Sequence, residues 1–263
     1  MALKFHDVSL WGFFRFHGPD AKKFLQGLVT ADLNKLAPGI CLPACVLTPK
    51  GLLVADCELY EETPETILAV TRPAAAIGFL SAFAKKIMLS DSTIKALRSE
   101  KAWLVVGEGF TRGLPWPRLA EPVRLLLGVD PPEDAEPMTD AEFDALRVAS
   151  GFPLFGVDLT EESLPLEGRQ EAAISMEKGC YMGQETVSRL VFRGHVNKVL
   201  MGVRFPAGSS PRAGGALTSV AGDIGLATVC YDDALPGKTL DFSGVAGELF
   251  VFPSWPKPLS KAA

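Results

Sequence analysis

At Val196 the texture of the sequence changes. Beyond it, short β-rich runs over residues 199–205, 216–220, 224–231 and 248–252 alternate with Gly, Pro and Ser turns. Runs this short and this evenly punctuated predict a small all-β unit, a barrel or sandwich, with a boundary near residue 196. The preceding chain mixes both kinds of period. An aromatic-rich strand is expected over residues 9–16, and Gly18-Pro19-Asp20 opens a helix with Phe24, Leu25 and Leu28 on its apolar face. Residues 41–48 and 52–60 flank Pro49-Lys50-Gly51 as a hairpin, and residues 66–71 form the next strand. Thr71 then caps a helix with Pro73 in its first turn and Ile77, Leu80, Ala84 and Ile87 on its inner face.

Further strands are expected over residues 93–97, 102–106 and 123–127, followed by a Pro/acidic linker over residues 130–137. The helix after it carries the strongest local signals. Thr139 and Glu142 make a capping box, Met138 can staple onto Phe143, and Gly151 suits a left-handed stop. The tail over residues 253–263 holds three prolines and reads as loose.

With 263 residues, about two domains are expected, one or three remaining open. Hydrophobic residues at 48% and charged residues at 22% exclude wholesale disorder. A net charge of -5 argues against a broad basic face for nucleic acid. No apolar run approaches the ~20 residues of a membrane span. The first 18 residues, with Lys4, His6, Asp7 and Arg15, do not read as a secretory signal. Five cysteines, an odd number, fit a reducing compartment, so a cytoplasmic location is expected.

Several signatures fail on inspection. In Gly107-Glu108-Gly109-Phe110-Thr111-Arg112-Gly113 the third glycine comes one residue late, and Pro115 and Pro117 forbid the helix a dinucleotide turn needs. Gly237-Lys238-Thr239 resembles the end of a phosphate loop, but Asp232 stands where its first glycine belongs. No zinc spacing is present, His6, His17 and His195 are scattered, and no metal-ligand set is expected. Cys41, Cys45 and Cys57 read as small buried hydrophobes.

The informative segment is Lys178-Gly179-Cys180-Tyr181-Met182-Gly183-Gln184-Glu185. Its glycines permit unusual backbone angles and close approach of a ligand. A helix can begin at Gln184, which places Cys180 just before a helix N-terminus with Lys178 nearby, two features that stabilise a thiolate. From the residues alone, a reactive thiol and an inert buried cysteine in a strand-to-helix turn both stay open. Arg193-Gly194-His195 adds a cation and a titratable group to the neighbourhood.

This octapeptide resembles the signature K-G-C-[FY]-x-G-Q-E of the YgfZ family, folate-binding proteins linked to iron–sulfur cluster maturation, with all seven fixed positions present. The downstream Arg193-Gly194-His195-Val196-Asn197-Lys198 is similar to that family too. So are Gly18-Pro19-Asp20-Ala21, Phe24-Leu25-Gln26-Gly27 with Thr30 and Asp32, and Leu47-Thr48-Pro49-Lys50-Gly51. Arg147, Gly151-Phe152-Pro153 and Pro165-Leu166-Glu167 extend the likeness over nearly the whole chain, in the right order. The wider superfamily includes the glycine-cleavage aminomethyltransferase, or T-protein. Its chemistry is expected to use an aspartate shortly after the strand that ends here at Thr71. This stretch reads Thr71-Arg72-Pro73-Ala74 with no acid until Asp91, which argues against aminomethyl transfer.

The resemblance implies an α+β cloverleaf of three domains. Residues 1–40 with 139–195 would form the first α+β domain, residues 41–138 the second, and residues 196–263 a C-terminal β-barrel and tail. It implies tetrahydrofolate, or a derivative, in a central channel, with Cys180 as a functional thiol beside it. The pterin would pair with a carboxylate such as Glu167, and Tyr181 and Gln184 would contribute to the same site. The anionic tail would favour Lys178, Arg147 or Arg193. The expected function is that of a monomeric tetrahydrofolate-binding accessory factor for iron–sulfur cluster assembly or repair, with cluster client or assembly proteins as partners. A folate-dependent one-carbon transferase and a folate-free scaffold are the alternatives.

Overall fold

The computed structural model describes residues 2–97, 101–257 and 259. The chain begins with strands β1 (Lys4–Asp7) and β2 (Gly12–His17) and helix α1 (Ala21–Gln26). Strands β3 (Leu42–Leu47), β4 (Leu53–Thr63) and β5 (Thr66–Thr71) follow, then helix α2 (Ala76–Ala84) and strand β6 (Thr93–Ala96). Next come β7 (Ala102–Val106), β8 (Leu114–Pro115), β9 (Val123–Leu127) and β10 (Glu136–Pro137), before helix α3 (Asp140–Ala149). Helix α4 (Gln184–Arg193) leads into β11 (Lys198–Arg204), β12 (Leu217–Ala221), β13 (Ile224–Cys230), β14 (Thr239–Phe242) and β15 (Val245–Phe250).

Three five-stranded sheets result. The first runs β10-β1-β7-β9-β8, the second β3-β4-β5-β2-β6, and the third β12-β13-β11-β15-β14. The first two interlock, because β1 joins one and β2 the other. Strand pairing therefore departs from the expected division at residue 40. Residues 42–96 pair with β2, whereas residues 102–137 pair with β1. Hydrogen bonding between distant strands decides this grouping, and a local apolar pattern carries no record of the partner. The third sheet, with β12 and β14 at its edges, curls into a half-barrel and forms the expected C-terminal β unit.

Alternation along β4 gives the second sheet two different faces. Ala55, Cys57 and Leu59 share a face with Phe14 and Phe16, under the Phe79 and Phe83 rings of α2. Asp56, Glu58 and Tyr60 share the other, with Phe13 and Val70, toward the first sheet. The expected inner face of α2 is met at Leu80 and Ile87 but not at Ile77 and Ala84. Ile77 is 83% exposed and Ala84 is exposed, while Phe79 and Phe83 are buried. A 3-10 turn at Pro73–Ala75 resets the helical phase. Thr71 is not the cap, because its hydroxyl donates to the Asp56 carbonyl within the sheet. The predicted strand over 9–16 begins only at Gly12, because residues 8–11 turn between β1 and β2.

Helix α3 begins as its sequence dictates. Thr139 and Glu142 exchange both capping-box hydrogen bonds. Gly151 stops it at φ +71°, beneath the Phe252 ring, where a Cβ would lie 2.5 Å from a ring carbon. The start of the tail is held and not loose. Ser254 donates to the Ser150 carbonyl, and the Trp255 ring N–H to that of Gly151. The rest of the expected loose tail, Pro258 and residues 260–263, lies outside the described residues.

Arg147 ties this helix to the third sheet. Its guanidinium donates to Asp144, the Phe152 carbonyl, Asp158 and Ser219. Asp158 also accepts from Ser219, Thr218 and the Leu154 N–H. Both charges are almost fully buried. Removing the cation leaves an uncompensated buried carboxylate. Arg147→Met is therefore expected to lower stability by about 3–5 kcal/mol in a urea titration. A loss under about 1 kcal/mol would show that Asp158 does not depend on this pair.

Candidate functional site

Three segments distant in sequence converge on the Lys178–Cys180–Gly183 loop. The Lys178 ammonium turns inward and donates to the carbonyls of Gln26, Val29 and Ala31 at 2.5, 2.8 and 2.7 Å. These are the carbonyls at and just after the end of α1, which the helix itself leaves without partners. Thr30, in the same turn, donates its hydroxyl to the Ala173 carbonyl and accepts the Cys45 N–H. Gly183, at φ +80°, opens α4 against the hairpin loop between β3 and β4. A Cβ there would sit 2.6 Å from the Thr48 carbonyl oxygen, so only glycine permits this approach. Gln184 closes the turn, its N–H donating to the Tyr181 carbonyl.

Side chains alternate inward and outward along this loop. Tyr181 is buried, with the Lys178 ammonium 5.3 Å from its ring centre, while Gly179 and Cys180 are exposed. Burial raises the Tyr181 phenol to about 12. It also pulls the Lys178 ammonium down to about 8, Asp32 partly offsetting it. Cys180 thus stands in solvent just before α4, on a loop whose neighbours are fixed.

The other expected site residues are dispersed. Lys178 and Arg147 are committed to buried hydrogen bonds, so neither is available for an anionic tail. Arg193 is exposed at the C-terminal end of α4. Glu167 faces a cavity of about 170 Å³, together with Asp158, Lys198, Thr218 and Thr228. Burial raises its carboxyl, against the Leu164 N–H. Glu167 lines neither of the two larger cavities described below.

Sequence reasoning missed a buried ionic cluster at the centre. Arg72 pairs bidentately with Glu58 at 2.7 and 2.8 Å, and Arg118 approaches the same carboxylate at 3.2 Å. Asp56 stands 3.5 Å from Arg72 with neither carboxylate oxygen hydrogen-bonded. Trp11 lies over the Arg72 guanidinium at 4.4 Å, flanked by Trp116 and Phe152. Burial raises the Asp56 carboxyl, and Arg72 offsets only part of this. At Glu58 the two guanidinium groups outweigh burial and hold the carboxyl low. The acid expected after Thr71 is absent, as read, since Arg72 fills that place. The acids are supplied from the neighbouring strand. Asp56 and Glu58 at alternate positions in the apolar first part of β4 were the available signal.

Two larger cavities adjoin these features. One, of about 590 Å³, is walled by Trp11, Pro73, Ala74, Phe143 and Phe155, next to the ionic cluster. The other, of about 480 Å³, lies between Leu190 and His195 at the far end of α4 and Val199 and Tyr231 of the C-terminal unit. Helix α4 has ten residues, so this second cavity is roughly 15 Å from the Cys180 end.

Comparison with known proteins places these features in context. No family model matches the chain. It is 29% identical, over 223 residues, to the iron-sulfur cluster assembly factor IBA57 homolog, mitochondrial, of Phaeosphaeria nodorum. That match covers 74% of this chain and 54% of the relative, so the chain spans about half the length of the fungal protein. It is also 29% identical, over 244 residues, to the tRNA-modifying protein YgfZ of Edwardsiella ictaluri, covering 78% and 72% of the two chains. Among solved structures, the glycine cleavage aminomethyltransferase T of Bartonella henselae superposes with a TM-score of 0.82 at 16% identity, over 96% of this chain and 86% of that one. The fold is that of the T-protein, and the sequence is similar to the YgfZ and IBA57 proteins, as the octapeptide implied.

One buried acid in the second cavity carries a pH signature. Glu171 is 6% exposed and its Oε2 has no hydrogen-bond partner among the described residues. Burial pushes its carboxyl up to about 7, against its own N–H and Arg169. Between the ordinary value of 4.5 and about 7, the folded chain keeps a proton that the unfolded chain releases. This group therefore makes stability fall as pH rises through that window, by about 3 kcal/mol, and contributes no slope above it. Glu171→Gln is expected to lack that decline in urea titrations at pH 5, 6 and 7. An unchanged decline would assign it to other acids.

Proposed function

We propose that this protein is an accessory factor for iron–sulfur cluster assembly or repair that presents the Cys180 thiol to a partner and binds tetrahydrofolate. The observation that carries this reading is an exposed thiol on a loop fixed from three sides. A soft thiolate ligand or nucleophile must be reachable yet positioned. The name of the fungal relative supports the same direction. The partners would be client or assembly proteins, and a net charge of -5 argues against direct nucleic-acid binding.

The folate part rests on the centre of the molecule. A pterin edge offers N–H donors, and Asp56 is a buried carboxylate with two unpartnered oxygens. The adjoining 590 Å³ cavity supplies aromatic and apolar walls in Trp11, Phe143 and Phe155. The aromatic walls of this cavity suit the ring, and when bound the group would supply a carrier of one-carbon units. The chain's own contribution would be to desolvate the ring between Trp11 and Phe155, beside the ionic cluster that holds Asp56. Of the three expected cations, only Arg193 stays exposed to meet an anionic tail.

A second reading, a folate-dependent one-carbon transferase, is favoured by Asp56 alone. Its burial-raised carboxyl could accept or return a proton at Oδ1 or Oδ2. Steady turnover of an aminomethyl donor with tetrahydrofolate, abolished by Asp56→Asn, would establish that reading.

The leading reading predicts a saturable rise in thermal stability with tetrahydrofolate, about 2.7 kcal/mol at 100 times Kd. Trp11→Ala is expected to weaken that binding at least tenfold. Cys180→Ala should fold and bind tetrahydrofolate normally, yet fail to restore iron–sulfur enzyme activity in a strain lacking its own relative. Full restoration by Cys180→Ala would refute the role assigned to the thiol.

A further inference from the structure

The 480 Å³ cavity at the C-terminal end of α4 is used by neither part of that reading. Its walls are mostly apolar, including Leu166, Val196, Val199 and Leu235. One flat wall is aromatic, where His195 stacks face to face on Tyr231 with ring centres 4.2 Å apart and planes 15° apart. Its polar groups are concentrated in Arg169 and Glu171. The Arg169 guanidinium is committed to the Leu200 carbonyl and the Met201 sulfur, and stacks over Trp255 at 5.3 Å. Glu171 is nine-tenths buried, lines the cavity and keeps one carboxylate oxygen without a partner.

A buried acceptor left unpaired costs free energy, and native structures rarely keep one without a use. The backbone beside it is also strained, since Arg169 holds φ +57° without being glycine. Such strain collects at ligand sites. We infer that this cavity is a second small-molecule site, built for a flat, uncharged heteroaromatic molecule that donates one N–H to Glu171. The ring system would lie against the His195–Tyr231 wall. An uncharged ligand is indicated because the walls are mostly apolar and the Arg169 guanidinium is already committed. The volume lies in the range usual for small-molecule pockets. This assignment is independent of the folate reading, whose cavity shares no wall residue with this one.

The test is a pair of isosteric probes, indole and benzofuran, titrated against the reduced full-length protein by calorimetry. They share shape and apolarity, but only indole offers an N–H donor. Indole is expected to bind at least tenfold tighter, because only indole can supply the partner that the buried Glu171 Oε2 lacks. In Glu171→Leu the two probes should bind equally. In Ala234→Trp, which fills the cavity from its half-buried rim, both should be lost. Cys180→Ala and Trp11→Ala should leave indole binding unchanged. Equal affinity for the two probes in the unmodified protein would overturn the assignment, as would no binding at millimolar indole. If Glu171→Leu fails to fold, Ala234→Trp still decides, because undiminished binding in it would place the ligand elsewhere. Displacement of indole by tetrahydrofolate at its own Kd would make this cavity the folate site and overturn its being a second one.

Discussion

An ammonium group with three donors meets three main-chain carbonyls beneath the thiol loop, and the arrangement of the candidate site depends on that match. Gln26, Val29 and Ala31 lie where α1 ends and the chain turns toward β3. Their carbonyls would otherwise be left with unmet acceptors inside the protein. Lys178 satisfies them and in doing so pins the segment that carries Cys180. Burial opposes the charge and draws the ammonium down to about 8. The carbonyl cradle works the other way, since only the protonated form can donate to all three. Thr30, from the same turn, reaches both β3 and the chain at Ala173, and Gly183 lies against the hairpin loop at Thr48. The segments that resemble a known family in isolation are therefore parts of one contact surface.

The same sheet gives the molecule its other chemical centre. Strand β4 sends Ala55, Cys57 and Leu59 into an aromatic layer under α2, and Asp56 and Glu58 into the space between the two interlocked sheets. A carboxylate at that place survives only beside a cation, and Arg72 and Arg118 provide it for Glu58. Asp56 is left with charge compensation but no hydrogen bond. The thiol centre is exposed and the ionic centre is closed.

Local signals were legible in the sequence where local physics decides. The capping box of Thr139 and Glu142, the strand over residues 66–71 and the helix opening at Gln184 all appear as read. The phase of α2 was not legible, because the 3-10 turn after Arg72 rotates the face that Phe79 and Phe83 present. Nor was the direction of Lys178. Its position beside Cys180 suggested an electrostatic role toward the thiol, while its carbonyl partners lie about 150 residues earlier. The ionic centre was missed because its four residues come from one strand and two connecting segments. Only the alternation of acids in β4 hinted that its second face is polar.

The claim that Lys178 organises the loop is tested most directly by amide hydrogen exchange in Lys178→Met and the unmodified protein. Peptides covering residues 26–31 and 178–186 should lose protection together in the variant, while residues 199–205 of the C-terminal sheet keep theirs. Unchanged protection of residues 178–186 would contradict this, because the thiol loop would then be held in place without its buried ammonium.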